Sequence, residues 1–372
     1  MGPPVISAHC GILTRGPHAS GFARPPLFIA HPLAPEYSTA VIILISHAEW
    51  ASHLQRPALA ALQSLCTQRW PQPLESARDT DRDSPLERWR ARALGLPTPN
   101  SGIAWGAWYA AQLGADAATP AALISPCHWD INMTGVRMDD PAQLWLSDAD
   151  SQALMDALKP LAEEDGIALT WLNAQHWLAR GAVFAQLPSA SPAALAGQDL
   201  DAHLPQVPHD TSATRLLRRL QNEAQMLFYS HPVHDRRHAQ RLPAVNSIWY
   251  HGTGRLEAPP AGGGVGEHRP PRAPFAPDSQ PTTPNANPLA ERNASARAVT
   301  ELSLLEPLRE TGDLATAWQR LDAQVGALLQ QHPDAECVMC NARGARHWSL
   351  TAPPWWQRWR IKRPTHFVEA LP

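Results

Sequence analysis

Five consecutive large apolar residues, Val41-Ile42-Ile43-Leu44-Ile45, constrain this chain more than any other feature. A strand that is apolar on both faces has to be covered on both, and the amphipathic stretch around Leu54 to Leu65 that follows offers a helix for one of them. Leu27-Phe28-Ile29-Ala30 reads as a second buried strand just upstream. This β-then-α opening predicts an α/β fold.

The chain can supply the core such a fold needs. It has 372 residues, 44% of them apolar, enough for one large domain or two ordinary ones. Its 38 prolines and 15 tryptophans predict long loops and plentiful aromatic contacts. A formal charge of -3 provides no global field for nucleic acid or an anionic membrane, so any polyanion contact has to be local. The cysteines Cys10, Cys66, Cys127, Cys337 and Cys340 are odd in number and scattered, which argues against a disulfide framework and leads us to expect the cytoplasm. No signal-like apolar core follows a basic start in Met1 to Arg24, and Val41 to Ile45 is far short of the roughly 20 residues of a membrane helix.

Further along, Ala121 to Ser125 reads as a strand, Asn132 to Gly135 as a turn and Val136 to Met138 as a short return strand. Ser147 caps a helix that continues through Leu154 and Leu158 and exits at Pro160. Asp165-Gly166 turns into a strand over Ile167 to Leu172. A helix capped at Thr211 or Ser212 stops before Pro232, and another runs from Asp313 to Gln331, ahead of a strand Cys337 to Cys340 and a turn at Arg343-Gly344. Between Glu257 and Asn293 large apolar residues are scarce, and the stretch reads as a flexible insertion. The boundaries that follow are a loose tail at 1–25, a core at 26–100 and 300–372, a smaller domain at 101–256, and a Pro/Gly-rich linker at 257–299.

Three segments carry a resemblance: Leu216 to Met226, then His231-Pro232-Val233-His234-Asp235-Arg236-Arg237, then Leu242 to Trp249 with Gly252-Thr253-Gly254. Together they resemble the proteobacterial phosphoglycerate-mutase-like family, also called regulators of pathogenicity factors type E. Ser125 to Trp129, Asp140-Pro141 and Leu321-Asp322-Ala323 fit the same pattern. The His-Pro run, with Pro243, Asn246 and the glycine pair, is more distantly similar to the archaeal-type cofactor-independent phosphoglycerate mutases, although His234 stands where those enzymes typically carry Asn. The resemblance covers most of the chain from about Leu27. It implies an alkaline-phosphatase-like, mostly parallel sheet core with a smaller inserted α/β domain.

Those enzymes hold two divalent metals, which requires many ligands. Their pattern has an Asp-Gly after the first strand, an Asp-x-x-x-His, a later Asp-His pair and a further His. Here Leu27 to Pro32 ends without a carboxylate, and Asp165-Gly166 reads as a turn. Asp199 and His203 have the Asp-x-x-x-His spacing but precede the His-Pro run, and no Asp-His dipeptide occurs. We therefore expect no metal, no other cofactor and no catalytic residue, and a regulatory protein in place of a mutase. The alternatives are an active metal-dependent mutase or phosphatase with unconventional ligands, and a pure interaction module.

The candidate ligand-binding residues are His128, Trp129, His231, His234, Arg237, Asn246, Gly252 and Gly254. His231, His234 and His238 share one stripe if their segment is helical, and read as a metal site, as solvated loop imidazoles, or as an anion pocket with Arg236 or Arg237, whose guanidinium forks match phosphate or carboxylate oxygens. Asn246 and the turn Gly252-Thr253-Gly254 offer bare backbone to a ligand or form only a tight turn. His128 and Trp129 either sit at a ligand-binding strand end or pack in the core. Cys337 and Cys340 have CxxC spacing without a second pair, and read as buried strand residues before zinc or redox groups. Trp355, Trp356 and Trp359, interleaved with Arg358, Arg360, Lys362 and Arg363, read as a docking segment that closes the core before a nucleic-acid surface. The expected partner is a small phosphorylated or anionic metabolite, or a protein. A membrane partner is not expected, and nucleic acid is disfavoured.

Overall fold

A computed structural model describes residues 41–50, 58–78, 80–116, 118–133, 135–200, 203, 211–256, 298–358 and 371. The expected strand Leu27 to Ala30, the tail, nearly all of the linker, and Trp359 to Arg363 lie outside the described residues.

β1 (Val41–Ser46) is buried along its whole length and lies between two parallel neighbours, β10 (Ala298–Ser303) and β11 (Glu336–Asn341). The sheet continues antiparallel through β12 (Gly344–Ser349) to the two-residue strands β2 (Trp70–Pro71) and β3 (Glu75–Ser76). The expectation of a mostly parallel sheet therefore holds for three strands, and the sheet is mixed. Alternate residues of β1 point to opposite faces, as strand geometry requires. Ile43 and Ile45 pack with Leu62 and Leu65 of α1 (Ala60–Gln68) and with Trp318, Leu321 and Val325 of the later helix Leu314–Gln331. Ile42 and Leu44 pack on the other face with Ala93, Leu86 and Trp89 of α2 (Pro85–Ala93). Cys337 belongs to the first of these clusters and Cys340 to the second, so the CxxC spacing sends the two thiols to opposite faces of the sheet.

A second sheet, wholly antiparallel, has the order β7-β8-β4-β9: Ala168–Asn173, His176–Arg180, Ala121–Cys127 and Ser247–Gly254. The hairpin β5 (Trp129–Asn132) and β6 (Gly135–Met138) grows from the end of β4, with its turn where the sequence predicts it. One face of the sheet packs on α4 (Asp148–Glu164) and α6 (Ser212–Tyr229), which share a cluster with Ile124, Trp177, Ile248 and Tyr250. The other face meets α3 (Trp105–Gln112) with no space between backbones: a Cβ at Gly106 would lie 2.4 Å from Ala122 N. At Gly252, where φ is 59°, a Cβ would lie 2.8 Å from the Cβ of Trp105. Gly252, Thr253 and Gly254, which the sequence reads as a turn open to a ligand, instead continue β9 to its end, and this helix covers Gly252.

The caps at Ser147 and Thr211 behave as read, and Asp313, read as the first residue of its helix, caps it from just outside. Ser147, Thr211 and Asp313 each accept a backbone N–H three residues on. Pro160, read as the exit of α4, lies inside it, and the last turn continues to Glu164 with Ala162 buried against the core. The remaining helices among the described residues are α5 (Pro192–Leu195), α7 (Pro232–Ala239), α8 (Leu305–Thr311), α9 (Leu314–Gln331) and α10 (Trp355–Arg358). α1 has no capping side chain of its own, and Asp322 of α9 accepts the Ala61 and Leu62 N–H groups instead. Trp355 and Trp356 are exposed rather than closing the core, and Arg358 lies over Trp70 at 5.7 Å. Among the described residues no helix is long and apolar enough to cross a membrane.

Candidate functional site

The residues singled out in the sequence fall at three places, and at each their groups are committed largely to the protein's own frame. Where β4 ends and β9 begins, His128 Nδ1 is 2.8 Å from the Ala244 carbonyl. Asn246 accepts the Trp129 N–H at 2.7 Å and donates to the Trp129 carbonyl at 2.9 Å, so its amide imitates a strand partner. The Trp129 ring meets Trp249 edge-on at 6.2 Å.

The His-Pro run forms α7. Pro232 stands at its first position, where a missing N–H costs nothing, and His231 is its cap, with Nδ1 accepting the Val233 N–H at 3.2 Å. His234 lies 5.5 Å from the Tyr229 ring, and its Nδ1 has no hydrogen-bond partner among the described residues. Arg237 is 1% exposed. Its Nε donates to Pro243 O at 2.8 Å and its Nη2 to Leu144 O at 2.6 Å, while burial pulls the guanidinium below its ordinary range. The fork that the sequence offers to an anion clamps two carbonyls. Gly252 and Gly254, the third place, pack against α3 at Trp105 and Ala104.

What Arg237 holds in place is a three-residue relay. The Leu144 carbonyl ends a 3-10 turn, Pro141–Leu144, whose cap is Asp140. Asp140 Oδ2 lies 3.1 Å from His47 Nε2, and His47 Nδ1 lies 3.2 Å from Ser46 Oγ. Ser46 and His47 stand at the carboxyl end of β1, the edge at which open α/β sheets place ligands. Burial alone would raise the Asp140 carboxyl, but the hydrogen bonds from His47 and the Ala142 N–H hold it below its ordinary range. With Nε2–H donating to the carboxylate, a neutral His47 turns its Nδ1 lone pair toward Ser46 Oγ, whose single O–H is shared between that nitrogen and the Leu302 carbonyl at 3.4 Å. His47 (φ 55°) and Trp145 (φ 51°), just past the turn, both adopt left-handed backbone, a conformation that non-glycine residues hold only under constraint. The Trp145 ring faces the Arg309 guanidinium of α8 at 4.8 Å, which ties this turn to the first sheet a second time.

A cavity of about 230 Å³ opens beside the start of α2 and is lined by Arg78, Arg82, Arg88, Asp83, Thr98 and Asn100 among others. Arg88 is held by Glu75 at 3.0 Å, Asp81 at 2.8 Å and the Asp83 carbonyl at 2.7 Å. Among the described residues, the Arg78 and Arg82 side chains have no carboxylate partner. Asp83 is buried, and that burial, with Glu87 beside it, pushes its carboxyl up to about 7. The wall therefore carries three guanidinium groups against two carboxyls, Asp81, which is paired with Arg88, and Asp83, which burial leaves only part-ionised near neutrality.

Comparison with known proteins adds little. No family model and no curated protein matches the chain. Among solved structures it is similar to protein PH0037 of Pyrococcus horikoshii, at 10% identity over 84% of this chain and 87% of that one, with a TM-score of 0.36. It is also similar to a cofactor-independent phosphoglycerate mutase of Thermoplasma acidophilum, at 13% identity over 84% and 89%, with a TM-score of 0.30. At these scores neither likeness carries an argument.

Among the described residues no three His, Cys, Asp or Glu side chains converge as a metal site requires. Asp199 lies against β6 at Gly135, and Asp201 is outside the described residues. Sequence reading missed Ser46, His47 and the arginine cavity. The first pair had a signal, since polar residues directly after a five-residue apolar strand mark its carboxyl end. Arg78, Arg82 and Arg88 had none beyond their density.

Proposed function

We propose that this chain binds a small phosphorylated or otherwise anionic metabolite in the cavity beside α2 and acts as a non-catalytic regulatory protein. The arginine-lined cavity carries this reading. Two guanidinium groups without carboxylate partners among the described residues, beside a third held in the wall, suit the planar, bidentate recognition of phosphate or carboxylate oxygens. Thr98 and Asn100 add neutral polar groups for a hydroxylated ligand. The anion role expected of Arg237 passes to Arg78 and Arg82, because the Arg237 fork is already taken by carbonyls. The regulatory part, and the alkaline-phosphatase-like arrangement that goes with it, rest on the resemblance read from the sequence. A thermal-shift screen with inorganic phosphate, sulfate and 3-phosphoglycerate tests the reading. A rise in melting temperature that Arg82→Ala removes supports it, and no rise with any of the three overturns it.

A second reading, phosphatase activity with unconventional groups, is favoured by the chain from Ser46 through His47 to Asp140. Turnover of p-nitrophenyl phosphate that disappears in Ser46→Ala would establish it in place of the first.

A further inference from the structure

The cavity that we read as an anion site contains a carboxyl group that would repel an ionised ligand. Asp83 is 6% exposed and its Oδ2 accepts the Ile103 N–H at 3.0 Å. Charged groups face it from several sides. α2 contributes Glu87 and Arg88, and the preceding loop contributes Asp81, Arg82 and Arg78. The segment from Thr98 to Ile103 brings the Thr98 and Asn100 side chains and a backbone N–H, but no charge. Ser191 donates to Glu87, which also accepts the Ser84 N–H, so Glu87 is fixed where its charge weighs on Asp83. His203 lies within reach of the Arg82 charge, and burial and then that charge pull its imidazole below the ordinary range.

An anion placed among Arg78, Arg82 and Arg88 adds a negative charge beside Asp83, and the guanidinium groups that hold the anion offset only part of the repulsion between the two. Protonating Asp83 removes that repulsion and turns an acceptor into an O–H donor. Burial and Glu87 have already moved this carboxyl to about 7, so one further negative charge is enough to keep it protonated at neutral pH. We propose that an anion enters this cavity together with one proton that settles on Asp83, whose carboxyl then donates a hydrogen bond to the ligand. The step is binding only: a proton from solvent goes onto the carboxyl and no covalent bond is made or broken. The inference rests on the anion-binding reading and adds to it that occupancy is tuned by pH near neutrality.

The test uses the full chain and sulfate, whose charge does not change between pH 6 and pH 8. Calorimetric titrations in two buffers of different ionisation enthalpy give the protons taken up per sulfate. The expected result is near one proton at pH 8, falling toward zero at pH 6, with affinity about tenfold weaker at pH 8 than at pH 6. Asp83→Asn should bind sulfate with a flat pH profile and no uptake, and His203→Gln should behave as the parent does. Sulfate binding without uptake in the parent, or uptake that persists in Asp83→Asn, overturns the proton coupling and leaves the anion reading standing. No sulfate binding at any pH overturns both.

Discussion

Replacing Arg237 by alanine should damage the frame and not the cavity. The side chain is 1% exposed and makes two hydrogen bonds, to Pro243 O at 2.8 Å and to Leu144 O at 2.6 Å. Hydrogen bonds from a charged donor are worth about 1.5 to 3 kcal/mol each, and the two carbonyls lose their charged partner when the guanidinium goes. Part of that is returned, because burial disfavours the charge, as the lowered guanidinium range records. A net loss of about 3 kcal/mol is expected, read by urea unfolding at pH 7.5 with fluorescence and circular dichroism as coincident probes. Arg237→Met keeps much of the volume and should lose nearly as much, which separates the hydrogen bonds from the space they fill. Sulfate affinity, measured in low urea where the variant stays folded, should equal that of the parent. A stability loss under about 1 kcal/mol, or lost sulfate affinity with stability intact, would refute the reasoning and return Arg237 to the ligand.

Asp140→Asn tests the joint between the two sheets. A carboxyl held below its ordinary range stabilises the fold above the pH at which the unfolded chain ionises, and that contribution fades as pH falls through the folded value. The variant should be less stable by about 1 to 2 kcal/mol at pH 7, and the difference should shrink below about pH 4, as denaturant melts across pH will read. Gly106→Ala forces a methyl group onto the backbone of Ala122, where neither α3 nor β4 has a flexible side chain to move. A loss of at least about 3 kcal/mol, or failure to fold, is expected, and a melting temperature unchanged from the parent contradicts the packing. The thiols of Cys66, Cys127, Cys337 and Cys340 are all buried, that of Cys66 pushed up to about 12 by burial despite Arg346 and Arg69. Mass-spectrometric mapping after brief labelling at pH 8 should find them unmodified in native protein and modified in urea, with no Cys337–Cys340 disulfide on oxidation.

Local signals were legible where one stretch of chain decides the outcome. Ser147, Thr211 and Asp313 announce their helices because a cap and its N–H lie three residues apart. The hairpin at Asn132 to Gly135 and the buried strand Val41 to Ile45 follow from turn chemistry and apolar pattern alone. The His-Pro run was harder, since Pro232 disrupts a helix interior but fits a helix start, and only the cap at His231 tells which. Cys337 and Cys340 look like a pair in sequence and are divided by strand geometry. The relay lay beyond local reading, because His47 and Asp140 are 93 residues apart and meet only through tertiary packing. Arg237 matched a ligand fork in type, and nothing near it in sequence says that the carbonyl it needs belongs to Leu144, again 93 residues away.

The parallel pairing of β1 with β10 has a consequence for synthesis. Ser46 bonds to a carbonyl 256 residues downstream, so the most apolar strand of the first sheet leaves the ribosome long before either of its neighbours exists. The all-antiparallel sheet between them closes through nearer contacts such as the β7–β8 hairpin, and it can settle while Val41 to Ile45 still waits. A nascent chain arrested after Gly254 should therefore hold a protected second sheet beside an unpaired, chaperone-seeking strand.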